Sequence, residues 1–396
     1  MIYLTKAKLL LAGAALTSLA GPALALDGND LVAKLNSALA IQGGSGFTAA
    51  SVNVSGSDVT ATDAKFVVND GKQSIPIGTV KFQGVEEDGG SYTVEKVVFD
   101  NLNLTQDKSS LTASDISISG LFVPANANGN DLQSVLLYDE ASVGKIVGKV
   151  EGKDAFSVDR TTVTTELADD NSSVDFDMEV VGVKADLSSV DDPQAKETIQ
   201  QLGLTSIDGG MTMEGSWTGA DGTLELTEYA FDFKQIGRLS MSFSLTGYTL
   251  DFIKSLNETT KAMAAEASNE QAQQAAGLAM LGLMQRLTFN SAQIRFEDAG
   301  ITKRGLEFAA KKQNTNAAQL TQTLKGMTPI MLAQFNVPDL QNMVSEAVNS
   351  YLDKPGSFTI SAEPENGVPF PMIVGAAMGA PNTLPKVLGV TVTAND

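Results

Sequence analysis

The chain has 396 residues, a formal charge of −20 from 27 Lys+Arg against 47 Asp+Glu, and neither histidine nor cysteine. A field of that sign repels nucleic acid and anionic lipid headgroups, so neither is an expected partner. Without imidazole or thiol, the Ser-His-Asp and Cys-His arrangements, the usual zinc hydrolase sites and redox pairs are excluded. Any remaining catalysis would have to run on paired carboxylates or a Ser-Lys couple.

At the N-terminus, Lys6 and Lys8 precede an apolar run from Leu9 to Ala20, and no acid appears before Asp27. Gly21-Pro22 leads into Ala23-Leu24-Ala25, the small-x-small pattern that a signal peptidase accepts. This order predicts an export leader, residues 1–25, cut after Ala25, and a mature protein in the periplasm or an equivalent extracytoplasmic space. The apolar run is short of the roughly 20 residues that span a bilayer. Phe370 to Ala380 is the nearest later candidate, but it is short and holds Pro371, Gly375 and Gly379. No transmembrane segment is therefore expected after cleavage. A chain of this length can bury a sufficient core without disulfides.

Two compositional regions follow the leader. Residues 26–247 read as mainly antiparallel β-structure behind a short helix, Asn29 to Ala40, capped by Asn29 or Asp30. Val174, Phe176, Met178 and Val180 alternate with Asp175, Asp177 and Glu179, and Leu239, Met241, Phe243 and Leu245 alternate with serines. Met211, Met213 and Trp217 share one face of a third segment. Such alternation marks strands with one dry and one wet face. Asn69-Asp70-Gly71, Asp88-Gly89-Gly90 and Asp221-Gly222 are hairpin signals. The parity breaks inside Tyr92–Phe99 and Leu224–Phe233, which predicts a bulge or a change of face in each.

Residues 248–396 read as helix-rich, with returning strands at Thr288 to Phe296 and Ser357 to Ala362 that pack on the same sheet. Leu340, Met343, Val344, Ala347, Val348, Tyr351 and Leu352 form a helical stripe, with Pro338 in its first turn and Pro355-Gly356 as its stop. Leu250 to Leu287 is a long helical stretch with a break at Ser268, where Ser268 and Gln271 have capping-box spacing. Thr328-Pro329 looks like a further cap and restart. The fold class expected is α+β: a long, bent antiparallel sheet with a helical layer contributed mainly by the C-terminal third.

The candidate chemistry is sparse. The ladder Asp175, Asp177 and Glu179, with Asp169 and Asp170 upstream, has oxygen ligands of the kind calcium takes, but strict alternation is what any solvated strand face shows. Asn126, Asn128, Asn130 and Asp131 lack the carboxylates of a calcium loop and read as a loop capping a helix from Leu132 to Tyr138. There is no dinucleotide fingerprint, Walker loop or G-x-S-x-G elbow, and no cofactor is implied. The distinctive feature is apolar. Met211, Met213, Trp217, Met241 and Phe243 lie on alternating strands, while Met280 and Met284 crowd one helix end with Leu278, Leu281 and Leu283. Methionine-rich surfaces adapt to irregular apolar ligands, so these residues are candidates to line a groove for an acyl chain. The competing reading, and the commoner use of such stripes, is ordinary core with methionine as filler.

The stretches ISISGLFVPA, SVLLYDEASVGKI, MEGSWTGADGTLEL, FEDAGITKRGLEFAAKK and KVLGVTVTAND resemble exported alphaproteobacterial proteins of unknown function. The resemblance implies a Gram-negative periplasm and carries over no active site. The function expected is non-enzymatic: binding of an apolar or amphiphilic envelope ligand along a β-groove. The alternatives are a structural or assembly factor of the cell envelope acting through protein partners, and a carboxylate-dependent glycan hydrolase.

Overall fold

Alternating apolar and polar residues make strands, and turn residues between them make each strand pair with its neighbour. The computed structural model describes residues 26–43, 46–68, 73–188, 190–265, 270–334 and 336–396. The predicted leader, the Asn69-Asp70-Gly71 turn and Ser268 of the capping pair lie outside them.

Strands β1 (Gly46–Thr48) and β2 (Ser51–Ser55) both pair with β3 (Asp58–Val68). From there one antiparallel sheet runs through β4 (Gln73–Asp88), β5 (Ser91–Phe99), β8 (Ser117–Val123), β9 (Glu140–Val143) and β12 (Arg160–Leu167). It continues through β13 (Ser173–Asp186), β14 (Ser206–Thr218), β15 (Thr223–Phe233) and β16 (Gly237–Thr246). The far side is β17 (Thr288–Asp298), β18 (Ser357–Ala362) and β20 (Val390–Ala394), with β19 (Val368–Pro369) on the start of β17. β6 (Leu102–Gln106), β7 (Ser109–Ala113), β10 (Ile146–Val150) and β11 (Lys153–Val158) prolong β5, β8, β9 and β12 beyond a line of kinks and rejoin the sheet at β13. The strands of the C-terminal region thus extend the sheet begun in the β-rich region, and the fold is α+β.

The helices are α1 (Gly28–Gly43), α2 (Pro193–Gln201), α3 (Leu250–Ala265), α4 (Glu270–Met284), α5 (Ile301–Lys312), α6 (Ala317–Ala333), α7 (Pro338–Asp353), α8 (Phe370–Gly379) and α9 (Leu384–Val387). Among the described residues, no helix is long and apolar enough to cross a membrane. α1 starts earlier than its stripe suggests because the Asp27 carboxylate accepts the backbone N–H groups of Asn29 and Asp30, so Asp27 is the cap in place of Asn29 or Asp30. α6 runs through Thr328-Pro329 without restarting. Pro329 falls near the end of the helix, where its missing N–H costs one bond only, and Thr328 Oγ1 donates back to Leu324 O at 2.8 Å. The helix expected from Leu132 to Tyr138 is only a 3₁₀ turn, Leu132–Ser134, because Leu137 exchanges both backbone hydrogen bonds with Phe122 of β8.

Register determines which side chains share a face. Val59, Phe82, Val97 and Ile118 stand opposite one another on β3, β4, β5 and β8. The same row continues through Ala141, Val163, Met178 and Met213. It ends through Tyr229, Met241, Ile294, Ile360 and Val392. Over this whole course only Tyr229 carries a polar atom.

The two parity breaks have different causes. Leu226 and Tyr229 flank a register shift against both neighbouring strands, a bulge that returns Tyr229 and Phe231 to the dry face. Around Glu95 the pairing does not slip: Phe82 faces Val97, and Val85 faces Val94. Instead Gly84 and Gly120, at φ 62° and 63°, let β4 and β8 turn over together with β5 between them. A second kink line has the same chemistry. Gly182, at φ 68°, sits where a Cβ would collide with the Asp159 carboxylate, and Gly78 stands likewise against Asp100. Replacing Gly182 by Ala is expected to destabilise the protein by about 2 kcal/mol or more, combining left-handed strain with the clash. Adding Asp159→Ala should recover only the part of the clash made by the carboxylate, since the Cβ of residue 159 stays 2.8 Å from the new methyl, as read from urea midpoints.

Candidate functional site

At its N-terminal end the apolar row is conventional core. Leu31 and Leu35 of α1 pack with Val59, Phe82, Val94 and Val97, all nearly fully buried. The rings of Phe47 and Phe82 meet edge to face at 6.2 Å. Tyr92 Oη donates to Asp30 Oδ2 at 2.7 Å, and Lys34 bridges the same carboxylate, which pulls Asp30 below its ordinary range. At the opposite edge α7 lies along β20: Val392 is buried and Tyr351 meets Phe358 edge on.

Between these two covers the row opens. Ala141, Val163, Met178, Met213, Tyr229 and Met241 are only half-buried, and Ile294 and Ile360 are 48% and 43% exposed. The neighbouring rows are as apolar. Val180, Met211, Phe231, Leu239, Phe296 and Phe358 align on one side. Phe176, Gly215, Leu226, Phe243, Ala292 and Ala362 align on the other. No charged residue falls on these rows. At about 4.8 Å per strand, the open stretch from β9 to β18 measures roughly 35 Å along the row. Half a bilayer core, the reach of one acyl chain, is about 15 Å.

The charges are on the other face. There Glu179, Thr212, Ala230, Ser240, Arg295 and Thr359 form a row. Asp175, Asp177 and Glu179 are exposed on this wet face, and among the described residues no three acidic side chains gather as metal ligands. Arg295 Nη1 donates to Asp396 Oδ1 at 2.8 Å and to Thr359 Oγ1 at 2.9 Å. The Thr393 hydroxyl and then Arg295 hold the Asp396 carboxyl down to about 2.

The sequence-derived lining residues divide between open and covered regions. Met211, Met213, Met241 and Phe243 share the open stretch. Trp217 sits on the same face but at its covered end, where Nε1 donates to Tyr248 O at 2.8 Å. There it lines a cavity of about 230 Å³ with Ala38 and Ile41 of α1 and Leu250, Ile253 and Lys254 of α3. Lys254 Nζ holds α3 to the Asn128–Asn130 loop through Asn128 O and Asn130 Oδ1, each at 2.8 Å. Met284 packs with Phe252, Leu283 and Leu287 against Leu245 of β16, and Met280 is half-buried on the same helix. Sequence reasoning missed Val163, Tyr229, Ile294 and Ile360, whose place on the face depends on cross-strand register.

A second concavity, about 470 Å³, lies beside Asp139, Tyr138, Phe122 and Thr165. Burial pushes the Asp139 carboxyl up. Its side chain lies against Gly120, as Asp159 lies against Gly182, which makes Asp139 part of a repeated kink.

A family model described as an uncharacterized protein matches residues 230–395, from late β15 to β20. No curated protein matches the chain.

Proposed function

We propose that this protein is exported to the bacterial periplasm, loses its leader after Ala25, and binds an apolar or amphiphilic envelope ligand along the open apolar face without catalysing a reaction. The observation that carries the reading is the row from Ala141 to Ile360: an unbroken apolar surface, free of charge, whose residues stay half-buried or exposed among the described residues. Soluble chains rarely expose so wide a contiguous apolar surface unless something occupies it. The three methionines Met178, Met213 and Met241 lie in that row, and their flexible thioethers suit chains of variable shape. The ordering of Lys6, Lys8, Leu9–Ala20 and Ala23-Leu24-Ala25 supports export.

The hydrolase reading would rest on Asp139, whose repeated kink geometry already accounts for its position. The reading as an assembly factor would put a protein partner on the same face. Native mass spectrometry and solvent extraction of protein purified without detergent distinguish the two. A bound acyl amphiphile is the expected result. A homogeneous mass without ligand, together with a captured protein partner, would overturn the proposal.

A further inference from the structure

α8 reads Phe-Pro-Met-Ile-Val-Gly-Ala-Ala-Met-Gly, without one polar side chain, yet none of its residues is buried. Met378 is 83% exposed and Met372 59%. A helix that is apolar all round belongs inside a core or in lipid, and this one lies outside the core. α4 adds Leu278 and Leu281, 71% and 54% exposed. The two helices converge on one cluster: Phe370 of α8 and Met284 of α4 both pack on Phe252, Leu283 and Leu287 with Leu245 of the sheet, and the Phe370 N–H donates to Leu287 O, just past α4, at 3.0 Å. The exposed helices are therefore continuous with the end of the open apolar face.

The charge distribution points to the occupant. In a chain of 47 acids, none falls between Gln271 and Gln285 or between Asn366 and Pro385. The two segments are followed directly by cations, Arg286 and Lys386, both exposed. Glu363 and Glu365 border the patch across a cleft shared with Met372 and Lys386. Ten residues of helix are about 15 Å long, half of what would cross a bilayer but enough to lie in its interface. Resting on the ligand-binding reading above, we infer that α4 and α8 dock the protein on a zwitterionic phospholipid bilayer, placing the end of the apolar face against the hydrocarbon from which its ligand comes. Neutral headgroups leave the acidic remainder unrepelled, and Arg286 and Lys386 meet their phosphates.

The test is flotation of the full chain with vesicles of phosphatidylcholine and phosphatidylethanolamine. The wild type should float, and the pairs Met372→Asp/Met378→Asp and Leu278→Asp/Leu281→Asp should each lower the floating fraction at least tenfold. Adding phosphatidylglycerol at low salt should weaken binding. Wild-type protein that stays at the bottom, or variants that float equally, would refute docking. So would light scattering that shows a wild-type dimer and monomeric variants, since a second copy would then cover the patch. Protein that floats but carries no amphiphile sinks the ligand reading alone. Protein that carries amphiphile but does not float sinks docking alone.

Discussion

Met213→Asp combined with Met241→Asp is expected to empty the apolar face while leaving the protein folded. Both residues stand directly opposite Tyr229, one on each side, at the middle of the open row. Being half-buried, each new carboxylate reaches water in the ligand-free protein, so the cost to stability should stay near 1 kcal/mol per site. A bound chain would have to strip that water. Desolvating unpaired polar groups costs about 2 kcal/mol or more each, so together they should lower affinity at least a hundredfold. The measurement is the amount of amphiphile recovered per protein, with displacement of a fluorescent fatty acid as the second readout. Glu214→Thr, on the wet face of the same strand, is the control and should bind normally. A double variant that keeps its full load would show that the ligand lies elsewhere.

Phe82→Ala should be the most destabilising single truncation along the same row. Phe82 is 1% exposed, stacked edge on with Phe47 and enclosed by Val59, Val97 and α1. Removing a fully buried phenyl ring costs about 3 to 5 kcal/mol through lost burial and the cavity left behind. Met213→Ala, on the open stretch, should cost clearly less, about 2 kcal/mol, because that side chain is only partly buried. The contrast tests the central structural claim, that one row of cross-strand partners passes from sealed core to open surface. Trp217, the single tryptophan, reports on the region between them in urea titrations. Equal losses at the two sites would mean that the face is as well covered at β14 as at β4.

Much of this architecture is readable locally. The segments Val174–Val180, Met211–Trp217 and Leu239–Leu245 declare themselves by alternation because one side is wet, and Ser357–Ala362 falls where expected. The Leu340–Leu352 stripe is α7. What cannot be read is pairing at a distance. That Met178, Met213 and Met241 fall into one row is a property of register across four strands, two of which shift by a bulge. α8 escaped recognition as a helix because ten apolar residues have no period, and α2 because its nine mostly polar residues carry only Ala195 and Ile199 as apolar positions after Pro193. Leu132–Tyr138 misled because its local helical signal competes with the Phe122 strand edge. Neither the gap between the covers nor the exposure of Ile294 and Ile360 has any signature in a single chain.

Nearly every long strand in this sheet finds its neighbour in the segment made just before it. Tight links such as Asp88-Gly89-Gly90 and Asp221-Gly222 join consecutive strands, so closing each loop costs little entropy. Such a sheet can grow hairpin by hairpin as the polypeptide arrives, each new strand adding to a template already in place, and local pairing of this kind favours fast assembly. The advancing edge always offers free backbone N–H and C=O groups, a liability for sticking to other chains. It is met only at the end, when Val390–Ala394 adds to β18 and α7 lies along it. Deleting Val390–Asp396 would therefore bare the edge at β18 and invite strand-to-strand aggregation.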